Sequence, residues 1–165
     1  MFTKTAGDYD LVHLIAHIEH DKQNPDLAQS VLGRDGDNSA LLDTEQILGM
    51  ELRKTDLVVL SGCQSETGKR TRGDDILGLS RAFIYAGSPS VIASLWSVDD
   101  DATKLLMVAF YKHLHEGLGK ADSLRAAQME LRQKYPHPYY WAGFVLTGDP
   151  GPSDSSKLVA SAHRQ

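Results

Sequence analysis

Leu57-Val58-Val59-Leu60 is an unbroken apolar run, bounded by Asp56 before it and by Ser61-Gly62 after it. A run this short with no alternation reads as a strand covered on both faces, the condition of a parallel strand inside an α/β sheet. Parallel neighbours cannot be joined by a hairpin and need a crossover, usually a helix. The chain must therefore supply further strands and helices in alternation. Three more segments read as strands: residues 10–16, 90–95 and 143–147.

The helices between them carry their own start and stop signals. Asp43 or Thr44 caps a short helix running to Glu51, with Ile47, Leu48 and Leu52 on its inner side. Asp74 or Asp75 opens a second, with Ile76, Leu79, Ala82, Phe83 and Ala86 at helical spacing; Gly87 closes it and Pro89 prevents continuation. The third runs from Asp99-Asp100-Asp101 through Leu105, Leu106, Ala109, Phe110 and Leu114 to Gly117. The fourth spans about residues 120–135 and carries Leu124, Ala127, Gln128 and Leu131. The order gives an α/β fold with a mostly parallel sheet, the last strand antiparallel because two helices precede it. Residues 19–40 read as a long polar loop. The domain is expected over residues 1–149, and residues 150–165 as a flexible tail.

Composition narrows the function. A formal charge of −5 and no basic block argue against a nucleic-acid partner. No apolar stretch has the length of a membrane span, and the first residues lack the apolar run of a signal peptide. Cys63 is the single cysteine, so no internal disulfide can form. The expected setting is the cytoplasm, with that thiol reduced.

The chemistry collects at strand ends. Cys63 follows the 56–61 strand, and His17 follows the 10–16 strand, roughly 50 residues upstream. In open α/β sheets the carboxyl ends of strands are where ligands sit. A thiol has an ordinary pKa near 8.5, and an adjacent imidazole can take its proton and later protonate a leaving amine. The backbone N–H groups of Cys63 and of Ile18 could serve an oxyanion. Taken singly, a buried cysteine is as a rule a small inert hydrophobe, and a histidine at a strand end a hydrogen-bonded structural group. Their joint placement at consecutive strand ends is what raises the catalytic reading. His13, His17 and His20 offer a competing metal cluster, but no carboxylate or cysteine stands at ligand spacing, and no metal is expected. Asp99-Asp100-Asp101 follows the third strand. One of these carboxylates suffices to cap a helix, which leaves Asp99 or Asp100 to recognise a basic side chain. The aromatic segment from His137 to Trp141 reads as packing that docks the last strand.

The ordered set Val12-His13-Leu14-Ile15-Ala16-His17, Asn24-Pro25, residues 56–64, 78–83 and 86–87, residues 91–98 with Asp100, then 110–111, 126–128 and 137–149 resembles a CHAT domain. That family is a caspase-like cysteine peptidase domain of the clan that includes caspases and separase. The resemblance implies a three-layer α/β/α sandwich, a general base at His17, a nucleophile at Cys63, cleavage of partner proteins, and no metal or organic cofactor. Asp100 matches the family position after Trp96. Two departures stand out. The family usually has glycine directly after its histidine, where this chain has Ile18; the N–H survives that change but the backbone freedom does not. The family pattern also carries two further core strands before the histidine strand, where only about nine residues stand here. The expectation is an open edge at the first strand and a fragment, a subunit or a truncated pseudoenzyme. Its partners would be a protein or peptide substrate and a separate chain, upstream segment or second copy that covers the edge. The competing function class is a non-catalytic interaction module on the same scaffold.

Overall fold

The computed structural model describes residues 2–15, 17–20, 28–35, 38–61 and 73–151; residues 2, 4, 17–20, 28–35, 38–41 and 73–77 enter through their backbone alone. After a single turn α1 (Phe2–Thr5), the chain forms β1 (Leu11–Ile15), β2 (His17–His20), β3 (Ala28–Asp35), β4 (Asn38–Asp43) and α2 (Thr44–Leu48). It continues with β5 (Leu57–Ser61), α3 (Gly73–Tyr85), β6 (Ser90–Ser94), α4 (Asp100–His115), α5 (Lys120–Lys134) and β7 (Phe144–Gly148).

The main sheet has the order β1-β5-β6-β7. β1, β5 and β6 are parallel, and β7 runs antiparallel to β6, as the two preceding helices require. Every residue of β5 and β6 is buried, which is why their sequences do not alternate. Val12, Leu14, Val58, Leu60, Val91 and Ala93 share one core with Ile47 and Leu52 and with Leu79 and Phe83 of α3. Leu57, Val59 and Ile92 share the opposite core with Leu106, Phe110 and Leu114 of α4 and Leu124, Ala127 and Leu131 of α5. The result is a three-layer α/β/α sandwich with a mostly parallel open sheet. β1 stands at its edge, as expected, and its last residue, Ile15, is 81% exposed.

The reading of residues 19–40 as a loop is corrected. β2, β3 and β4 form a separate three-stranded antiparallel sheet, with Ile18 opposite Ser30 and Ser30 opposite Leu42. Polar residues hid these strands because only one face of such a ribbon needs to be apolar. α2 is also shorter than expected. Asp43 is its cap, accepting from Gln46 N–H at 2.7 Å while Gln46 Oε1 accepts from Asp43 N–H, but the helix stops before Gly49 and Leu48 is exposed.

α3 and α4 end alike. Ser88 N–H reaches Phe83 O and Gly87 N–H reaches Ile84 O, with Gly87 at φ +115°; Leu118, Gly117, His113 and Leu114 repeat the pattern, with Gly117 at φ +93°. At the amino end of the parallel strands, Lys120 is fully buried. Its ammonium donates to Ser90 Oγ at 2.7 Å, Asp56 Oδ1 at 3.0 Å and Asp56 O at 3.2 Å. Lys120→Ala leaves these oxygens without their cation and is expected to cost about 3 kcal/mol. Lys120→Met, which keeps the buried stem, should cost less. Urea denaturation of the two variants checks the ranking.

Candidate active site

Ile15 and Ser61 are register partners, so β1 and β5 end level with each other. The chain leads from there to His17 and to Cys63, two residues on in each case. β6 ends on the same side at Ser94, and the segment after it reaches Asp99 and Asp100. The three expected functional segments therefore leave one edge of one sheet.

Their individual placement differs from the sequence reading. His17 does not sit in a loop: it opens β2, opposite Val31, and Ile18 follows it on that strand. The described part of the first strand is Leu11–Ile15, and Ala16 lies outside the described residues. Cys63 lies outside the described residues, as do the side chains of His17 and His20. Asp99 is the α4 cap, its Oδ1 accepting from Ala102 N–H at 3.0 Å. Asp100 is the first residue of that helix and is exposed. Capping thus occupies Asp99.

The segment after β6 is held firmly. Trp96 Nε1 donates to Tyr139 O at 3.0 Å, and Tyr139 Oη donates to Ser97 O at 2.5 Å. A Cβ on Gly143 would stand 2.8 Å from Val98 Cγ2. Residues 137–141 therefore do more than dock the last strand: they fasten the loop that presents Asp99 and Asp100.

His13, weighed in the sequence only as part of a metal cluster, has another role here. His13 Nε2 lies 2.8 Å from Ser61 Oγ, and Nδ1 lies 2.9 Å from Tyr111 Oη. Burial lowers the His13 pKa and raises that of Tyr111, so a neutral imidazole stands between two neutral hydroxyls. Either tautomer is satisfied, since each hydroxyl can donate or accept. The available signal was a histidine inside an apolar strand, which needs partners when buried. Among the described residues no group of three His, Cys, Asp or Glu side chains is arranged to hold a metal, and no helix is long and apolar enough to cross a membrane.

The CHAT domain family matches this chain over residues 2–149. The chain belongs to the CHAT domain family. Its curated relatives include tetratricopeptide repeat protein 28 of Mus musculus, 37% identical over 125 residues, and the Homo sapiens protein of the same name, 35% identical over 125 residues. Each alignment covers 74% of this chain and 5% of the relative. The CHAT domain is related to caspase-like peptidases, in keeping with the α/β/α sandwich described above.

The His13 pKa fixes a sign for stability in this CHAT domain. The unfolded histidine titrates near 6.5, above the folded one, so the unfolded state binds the proton first. Stability from this residue is fully present above pH 6.5 and falls as pH drops below it. His13→Gln should flatten that part of the profile, measured by thermal unfolding between pH 5 and pH 8.

Proposed function

We propose that this CHAT domain is a cysteine endopeptidase. In this reading Cys63 loses its proton to His17 and attacks the scissile carbonyl. The backbone N–H groups of Ile18 and Cys63 receive the oxyanion. Collapse of the tetrahedral intermediate breaks the C–N bond, and the His17 imidazolium protonates the departing amine. His17 then takes a proton from water, which attacks the thioester and releases the second product. The observation that supports this is the level ending of β1 and β5 at Ile15 and Ser61. Asp100, on the segment fastened by Tyr139, pairs with a Lys or Arg before the scissile bond.

The test is a peptide library with the purified domain. Cleavage after Lys or Arg is expected, abolished in Cys63→Ala. Asp100→Ala should lower kcat/KM on basic peptides by about tenfold to a hundredfold, the worth of a charged hydrogen bond, while Asp101→Ala leaves it unchanged. Preference for an apolar or acidic residue at that position sinks the Asp100 assignment and leaves the dyad standing.

A second reading is a non-catalytic interaction module. Ile18 supports it, on a strand opposite Ser30 where the family has a glycine. Binding of a partner without turnover, and a Cys63 that alkylates like free cysteine, would decide for it. In either reading the β1 edge is covered by another segment, another chain or a second copy, and the working compartment is reducing, as in the cytoplasm. Sedimentation of the purified chain tests the cover: a compact, highly stable monomer with full activity would show that none is needed.

A further inference from the structure

His13, Ser61 and Tyr111 lie on three different elements, β1, β5 and α4. Each element leads to, or starts from, one functional segment: β1 to His17, β5 to Cys63, and α4 starts at Asp100. Among the described residues, β1 pairs in the main sheet with β5 alone. Its carboxyl end is exposed at Ile15, so apolar packing restrains it weakly. The two bonds of His13, at 2.8 and 2.9 Å, hold that end against a buried serine of β5 and against the helix behind it. The rings of His13 and Tyr111 are tilted at 49° with centroids 5.8 Å apart, and Tyr111 in turn meets Phe110 edge-on at 5.1 Å. Phe110 is fully buried, which anchors the helix end of the bridge in the core. Two apolar side chains would fill the same space while tolerating small slides. Hydrogen bonds are directional and weaken steeply outside a narrow range of distance and angle.

We propose that His13 is a positioning residue, bridging Ser61 and Tyr111 so as to fix the ends of β1 and β5 relative to each other and to α4, and thereby the approach of His17 to Cys63. The inference rests on the dyad proposed above. It assigns His13 no contact with substrate and no step of proton transfer.

The test reads the dyad directly. Cys63 is the sole cysteine, so the pH profile of iodoacetamide labelling of the full chain reports one thiol. The profile is measured for the wild type, His17→Ala, His13→Leu and Tyr111→Phe, with thermal unfolding alongside. Tyr111→Phe keeps the ring and its contact with Phe110, and keeps the question open if His13→Leu fails to fold. The expected result is a wild-type thiol pKa below about 8.5, raised in His17→Ala, and raised by a smaller step in both His13→Leu and Tyr111→Phe. A depressed wild-type value that is lost in His17→Ala but unchanged in Tyr111→Phe overturns the positioning role and leaves the dyad intact. A change confined to the melting temperature does the same. An ordinary thiol that ignores His17→Ala overturns the dyad and the positioning role with it.

Discussion

The ammonium of Lys120 is the contact on which the architecture depends most. It sits at the first residue of α5, out of water, and gathers oxygens from the start of β5 and the start of β6. Ser90 passes the linkage on, its hydroxyl donating to Asp149 O beyond the end of β7. One cation thus sets α5, β5, β6 and the chain after β7 against each other. A buried charge tolerates little displacement, because lost hydrogen bonds are not replaced by water there. The amino end of the sheet is thereby fixed, while the opposite end is free to carry loops.

That division explains how much of the molecule could be read from its residues. The parallel core was legible because burial on both faces leaves Leu57 to Leu60 without a polar interruption. The helix ends were legible where one residue type performs one backbone task, as Gly87 does; for α4 the run of three carboxylates marked the start without saying which of them caps. The antiparallel sheet of β2, β3 and β4 was not, because a ribbon with Gln29, Ser30, Gly33 and Arg34 on one strand resembles a loop in composition. Its register is set by pairing across strands, and no single segment carries that information.

The site divides in the same way. The strands that lead to His17, Cys63 and Asp100 were legible, and β1, β5 and β6 end on one side of the sheet. The His13 bridge was not, because Tyr111 and Ser61 lie far from His13 in sequence and come close only when α4 packs on the sheet. Lys120 was hidden for a similar reason: lysine at the start of a helix reads as a solvated residue until the strands beneath it are placed.

The direction of β7 has a geometric consequence. Because it runs against its neighbours, its first residue, Phe144, lies opposite Ser94 at the edge where the other strands end. The connection from α5, residues 135–143, is thus delivered to the side of the sheet where β1, β5 and β6 end. Gln128 on α5 donates to Phe144 O, so helix and strand are already joined there. A residue added to α5 beyond that contact would advance Tyr135 by about 1.5 Å and rotate it by about 100°. Tyr135 stacks on Tyr140, at 5.0 Å between ring centroids. Helix length therefore acts as a ruler for the wall beside Trp96, and related domains could reshape that wall by changing α5 alone.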